Sequence, residues 1–359
     1  MSNLDWNGIY GQASAKNILS KYLTSKNFSQ AYLFTGIEGV GKDATALKFA
    51  NLANNISDSY INESFIKFVT ALPVGKNETL ADDPITKLSK SDFENYCSEF
   101  EKLKQNFYHK ISLPKATEIR INSIRALNNF LVTSITDNHI RFVIISNAHL
   151  LNIFAQNALL KSLEEPQPNT IYILTTAEPK ILNETIRSRC TEIKFLPLEE
   201  DELRDILINN FDYNTSEVSS VVKLSDGSLS VALSYLKYDI INLKELTINF
   251  LRNSFANRFF TANNLSLKYS DDQYFHLLLS LISFWFRDLE KLKNGQREDL
   301  YFFDHVETLE KFLSKYPNFE SVKPLEKLSE YKNLITNTNV NSKILFFNLM
   351  QSIPNFLLK

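Results

Sequence analysis

The sequence predicts an α/β domain around a mostly parallel sheet, followed by an all-helical second half. Three observations predict it: short, wholly apolar runs alternate with helical patterns up to Pro197, a glycine-rich loop joins the first such run to a helix, and the strand pattern ends after Pro197. "AYLFTG" (Ala31–Gly36) is too short for a helix, rich in aromatic and apolar residues, and closed by glycine, as a buried strand should be. The helix "DATALKFANLAN" follows it. "RFVIIS" (Arg141–Ser146) reads as a second strand, "TIYILTT" (Thr170–Thr176) as a third and "TEIKFLPL" (Thr191–Leu198) as a fourth. Between the second and third, a helix from about Ile153 to Glu165 is stopped by Pro166. The segment 56–114 is less regular, broken by the polar "LPVGKNETLADDP", and is expected to be an insertion with one helix in "SDFENYCSEFEKLKQNF".

After Pro197 the pattern becomes helical. "EEDELRDILINNF", "SEVSSVVKLS" and "SLSVALSYLKY" are short helices, and from about Asp239 onward long amphipathic stretches carry aromatic-rich apolar faces. The expected division is an α/β domain over 1–197, a small helical domain over 198–238 and a C-terminal helical domain over 239–359. A chain of 359 residues has room for all three.

Composition limits the function. Lys plus Arg (39) nearly balances Asp plus Glu (41), for a net charge of -2, which excludes a strongly basic nucleic-acid coat and an acidic tail. Two cysteines, Cys97 and Cys190, cannot build a disulfide framework or a four-thiolate zinc site. The longest apolar runs are about half of what a membrane span needs, and no signal peptide is evident, so a cytoplasmic protein is expected.

Gly36-Ile37-Glu38-Gly39-Val40-Gly41-Lys42 lies between a strand and a helix, the context of a phosphate-binding loop. Glycines let successive backbone N–H groups face phosphate oxygens, and the lysine reaches the outer phosphates. A working loop continues with Ser or Thr, whose hydroxyl binds magnesium. Here that residue is Asp43, which brings negative charge to the phosphates and has no hydroxyl to offer. An acidic pair is also expected at the end of "RFVIIS", one carboxylate for magnesium and one for the attacking water. Ser146 and Asn147 stand there instead. His149 follows, and a single histidine beside a strand end is expected to be a surface or hydrogen-bonded residue. With two catalytic elements replaced, hydrolysis in cis is expected to be absent.

The stretches "NALLKSLEEP" (Asn157–Pro166) and "TIRSRC" (Thr185–Cys190) closely resemble the clamp-loader branch of the AAA+ family. "GIYGQ" (Gly8–Gln12), the phosphate loop, "IRINSIRALNNFL" (Ile119–Leu131), "RFVIISNAHLLN" and "IYILTTAEP" (Ile171–Pro179) fit the same family in the same order, over roughly Gly8–Leu233. Taken alone, "NALLKSLEEP" is an amphipathic helix with Leu159, Leu160 and Leu163 on one face. The resemblance implies an AAA+ P-loop domain, a small helical lid and an all-α collar.

It also implies roles. Arg189 would be an arginine finger acting in trans on ATP held by the adjacent subunit, with Ser188, Cys190 and Arg187 beside it. A guanidinium is permanently charged and its planar fork suits phosphate oxygens, although an ordinary surface ion pair would look the same in sequence. Cys190 has no nearby Cys or His and is expected to be a small buried thiol. Thr175 and Thr176 fall where the family has a polar γ-phosphate sensor. "GSLSVAL" (Gly227–Leu233) has Val231 where the family's second sensor has arginine. Only Cys97 and His109 lie in the segment where many relatives carry a zinc module, so none is expected.

A retained finger beside a disabled site implies a non-hydrolysing, stator-like subunit of the bacterial replicative clamp loader. It would need no cofactor of its own, bind nucleotide weakly or not at all, and assemble with gamma/tau-type ATPase subunits and delta. Through them it would act on a sliding clamp and primed DNA, with no membrane partner. The alternatives are an active gamma/tau-type or related AAA+ ATPase, and a P-loop small-molecule kinase, against which the "SRC" loop and the helical second half both count.

Overall fold

The computed structural model describes residues 5–56, 61, 63–80, 82–132, 139–258, 272–298, 300–337 and 341–357. They divide into two compact units, the first from residues 1–212 with 227–229 and the second from 213–226 with 230–359.

The first unit is built on a five-stranded sheet of order β2-β3-β4-β1-β5. Its strands are β1 (Ala31–Thr35), β2 (Ile66–Val69), β3 (Arg141–Ile145), β4 (Thr170–Thr176) and β5 (Thr191–Lys194). Every pairing is parallel. The connections therefore cross over, and helices α1 (Ala13–Ser25), α2 (Lys42–Ala53), α4 (Ile121–Val132) and α5 (Ile153–Glu164) supply the cover that a parallel sheet requires. Side chains of β1 alternate in the expected way. Tyr32 sits edge-on to Phe49 of α2 at 5.7 Å, and Phe49 to Phe142 of β3 at 5.9 Å. On the opposite side, Leu33, Val143, Ile145, Tyr172 and Leu174 share one buried cluster with Leu127, Leu159 and Leu163.

Two local expectations are corrected. Within the segment read as an irregular insertion, Ile66–Val69 forms the edge strand β2, paired from Ile66 with Phe142 to Val69 with Ile145. Four residues without clear alternation gave no strand pattern, and the pairing is long-range. The helix expected there is present as α3 (Lys90–Gln105), capped by the Ser89 hydroxyl, which accepts from the Asp92 N–H. The fourth expected strand stops at Lys194, because the Gln12 side chain takes the next ladder positions. Its amide donates to the Leu196 carbonyl at 2.7 Å and accepts from the Leu196 N–H at 3.1 Å.

A short helix α6 (Glu184–Arg187) precedes β5, and α7 (Glu200–Phe211) closes the first unit with a Glu199–Glu202 capping box. The second unit holds α8 (Thr215–Val221), α9 (Leu229–Lys237, from Ser230 on), α10 (Ile240–Phe255), α11 (Asp272–Lys293), α12 (Val306–Lys315), α13 (Val322–Asn337) and α14 (Ser342–Ser352). The segment read as a separate small domain thus contributes α7 to one unit and α8 and most of α9 to the other. Leu278, Leu281, Ile282, Phe286 and Leu289 of α11 are buried. Asp288 on the same helix is fully buried and accepts from the Tyr301 and Phe302 N–H groups, at 3.1 and 2.7 Å. Those bonds offset the desolvation that raises its pKa. No helix among the described residues is long and apolar enough to cross a membrane.

Candidate functional site

The carboxyl ends of β1, β3 and β4 lie side by side, the place where open parallel sheets hold ligands. The chain leaves β1 at Gly36, where a Cβ would stand 2.4 Å from the Phe195 carbonyl oxygen. A side chain there would push the start of the loop away from the segment that follows β5. Gly41, at φ 83°, is the left-handed residue that turns the loop into α2.

Lys42 is the first residue of α2 and only 7% exposed. Its Nζ donates to the carbonyls of Gly36 at 2.8 Å and Ile37 at 2.6 Å, so the ammonium closes the loop on itself. Burial pulls its pKa down to about 8, against the opposing pull of Asp43 and Glu38.

Asp43 meets one replaced position and one sensor position. The Ser146 hydroxyl donates to its Oδ2 and the Thr175 hydroxyl to its Oδ1, both at 2.6 Å. Thr175 Oγ1 also accepts from the Asn147 N–H at 3.2 Å. Thr176 Oγ1 accepts from the Glu178 N–H and contacts His149 Nδ1 at 3.1 Å. The expectation of a hydrogen-bonded His149 therefore holds, and burial lowers its pKa.

Further groups press on the loop. The Tyr108 ring lies 3.0 Å from where a Gly41 Cβ would be, and its hydroxyl accepts from the Tyr10 N–H at 2.8 Å. Lys110 is ion-paired with Glu38. Gln12 Nε2 reaches the Val40 carbonyl at 3.2 Å. Ser228 Oγ donates to the Glu38 carbonyl at 2.8 Å, and the Leu229 N–H to the Gly39 carbonyl at 3.0 Å.

The carboxylate at the metal position thus receives two hydroxyl donors, the lysine donates to loop carbonyls, and a tyrosine ring packs at Gly41. The structure thus brings together Gly36, Gly39, Gly41, Lys42, Asp43, Ser146, Asn147, Thr175 and Thr176. Val231 falls on α9 in the second unit. Sequence reasoning missed Tyr108 and the bracing role of Gln12, since nothing in local periodicity marks a contact spanning 98 or 184 residues.

Arg189 follows α6 and is exposed. Its Nη2 donates to Glu164 Oε1 at 2.6 Å, and its Nη1 to the Thr185 carbonyl at 3.0 Å. Arg187 and Ser188 are also exposed, the latter hydroxyl donating to the Thr185 carbonyl at 3.2 Å. Cys190 is partly buried, and desolvation pushes its thiol up to about 12, so it is no nucleophile. His109 contacts Glu99 at 2.9 Å, while Cys97 is exposed.

Comparison with known proteins adds similar sequences. A family described as "DNA polymerase III, delta subunit" matches residues 77–199. A DNA polymerase III subunit tau of Bacillus subtilis is 29% identical over 64% of this chain and 36% of its own length. The delta' subunit of the same organism is 27% identical over 63% of this chain and 70% of its own. The first curated relatives are longer proteins, of which the chain spans about a third. A gamma subunit-related protein from Thermotoga maritima superposes with a TM-score of 0.49 at 15% identity, over 94% of this chain and 99% of that one. By these sequence matches the chain is similar to the delta', tau and gamma subunits of DNA polymerase III, in keeping with the clamp-loader resemblance of its motifs.

Proposed function

We propose that the chain is the non-hydrolysing, stator-like delta prime subunit of a bacterial replicative clamp loader, a component of the DNA polymerase III holoenzyme. The observation that carries this reading is the Asp43 carboxylate, held by Ser146 and Thr175 where a working site needs magnesium. The chain then needs no cofactor of its own and binds nucleotide weakly or not at all. Its contribution to catalysis is Arg189, offered from an exposed loop to the ATP–magnesium of a neighbouring gamma/tau-type subunit. There it stabilises charge developing on the transferred phosphoryl group. Residues 198–238 serve as the lid and 239–359 as the collar. Through delta and the ATPase subunits the chain helps place a sliding clamp on primed DNA.

A second reading, an active gamma/tau-type ATPase, is favoured by the retained Lys42 and loop glycines and by the tau relatives. Two measurements separate them. The purified chain should hydrolyse no ATP above background, with or without primed DNA. Mixed with gamma/tau-type and delta subunits, it should enter one complex and raise DNA-stimulated hydrolysis and clamp loading. Turnover by the chain alone supports the second reading, and failure to enter the complex overturns the first.

A further inference from the structure

The second unit contains a cavity that the clamp-loader reading does not use. It has a volume of about 510 Å³ and lies between α10, α11 and α12. That is ample for one or two side chains of a bound segment and falls in the size range of ligand sites.

Its apolar part is an aromatic socket. Trp285 and Phe312 meet edge-on at 4.8 Å, while Phe312 is tilted by 49° against both Phe255 at 5.2 Å and Tyr316 at 4.9 Å. Trp285 is 3% exposed, and its indole N–H is buried without an acceptor. Leaving such a donor unpaired costs free energy.

The rim carries one sign of charge. Arg252, Arg258, Lys311 and Lys315 all line the cavity, and no carboxylate does among the described residues. Arg252 reaches a neutral partner, Asn249 Oδ1 at 3.2 Å, and Lys311 meets the outlying Glu307, 3.6 Å away and 88% exposed. In a chain of net charge -2, four clustered cations around an apolar depression are a local excess that calls for an anionic occupant.

We infer that this cavity is a docking site for an acidic peptide segment of a partner protein, which seats an apolar or aromatic anchor in the socket and sets carboxylates against the four cations. A peptide is favoured over single-stranded nucleic acid because the rings pack edge-on or tilted against one another and Trp285 is almost wholly buried. They line a hole rather than present flat faces for bases to stack on. The inference rests on the second unit alone and does not depend on the proposed clamp-loader role.

The sequence has two tryptophans, so Trp6→Phe in the full chain leaves Trp285 as the reporter. The probe is a synthetic peptide of Asp and Glu residues around a central Phe-Leu pair, titrated by tryptophan emission and in parallel by calorimetry. Saturable binding is expected, weakened by salt, and abolished when Lys replaces the acidic residues of the peptide. The Lys311→Glu/Lys315→Glu variant should bind about tenfold more weakly or worse while unfolding at an unchanged temperature. Thr308→Phe, which fills the socket from its wall, should weaken binding independently of charge. No saturable binding of the acidic peptide at low salt by either method overturns the proposal. So does equal affinity in the charge-reversed variant, or binding of oligothymidylate in place of the peptide.

Discussion

Thr175 donates its hydroxyl hydrogen to Asp43 at 2.6 Å, and Ser146 does the same to the other carboxylate oxygen, so one side chain ties α2 to the ends of β3 and β4. Asp43 and Ser146, read in the sequence as separate losses, join the sensor-position Thr175 in one hydrogen-bonded unit. A carboxylate receiving two hydroxyl donors is stronger than neutral pairings of the same geometry.

Asp43→Ala should therefore destabilise the chain by about 2–3 kcal/mol, because two hydroxyls lose their acceptor. Asp43→Asn, which retains one carbonyl acceptor, should cost less. Asp43→Thr restores the residue type of a working loop yet should produce no ATP hydrolysis, since Ser146 and Asn147 still supply no carboxylate. Thermal unfolding and phosphate release on the same preparations check both statements. An Asp43→Ala protein as stable as the parent would mean that the bridge is not formed in solution.

Lys42 provides a pH signature. Its folded-state pKa is about 8, below its ordinary value of 10.5, so the folded chain binds fewer protons than the unfolded chain between those values. Stability must then rise with pH through that window, and the penalty for burying the charged amine is fully present below about pH 8. Comparing the parent with Lys42→Met at pH 7 and near pH 10 isolates this group from other titrating lysines and tyrosines. The stability difference should move in favour of the parent by roughly 3 kcal/mol as pH rises. A difference that stays constant would mean that the amine reaches solvent.

Much of this architecture was legible in sequence because it is local. β1 and β4 are continuous apolar runs, Gly36 and Gly41 punctuate a strand-to-helix turn, and Pro166 stops α5. What stayed hidden depends on contacts distant in the chain. β2 has only four residues and is defined by its pairing with β3. Asp43 was readable as a wrong residue for magnesium, but its partners lie 103 and 132 residues away. Tyr108 sits in a segment with no periodic pattern, and its role is set by where Tyr10 and Gly41 happen to be.

Tyr108 covers the loop from outside. Tyr108→Phe removes the acceptor for the Tyr10 N–H and should cost about 1 kcal/mol. Tyr108→Ala also empties a buried ring position beside Gly41 and should cost about 3–5 kcal/mol. If the ring helps keep nucleotide out, a fluorescent ATP analogue should bind the alanine variant more tightly than the phenylalanine variant, with hydrolysis absent in both. Equal and negligible binding would assign exclusion to Asp43 and Lys42 alone.

Arg189 and Glu164 separate the role of a finger from that of a surface ion pair. The pair is short, at 2.6 Å, but both side chains are more than a third exposed, so its contribution to stability is about 0–1 kcal/mol. Arg189→Ala and Glu164→Ala should therefore unfold within a degree or two of the parent. In a reconstituted assembly their effects should part. Arg189→Ala should lower DNA-stimulated ATP hydrolysis by about tenfold or more with subunit assembly intact, because a finger acts on transition-state charge. Arg189→Lys should not rescue it, since an ammonium lacks the planar fork that meets phosphate oxygens. Glu164→Ala should leave hydrolysis at or above the parent rate, as it frees the guanidinium from its resting partner. Equal losses in Arg189→Ala and Glu164→Ala would mean that the ion pair itself matters and that Arg189 reaches no phosphate.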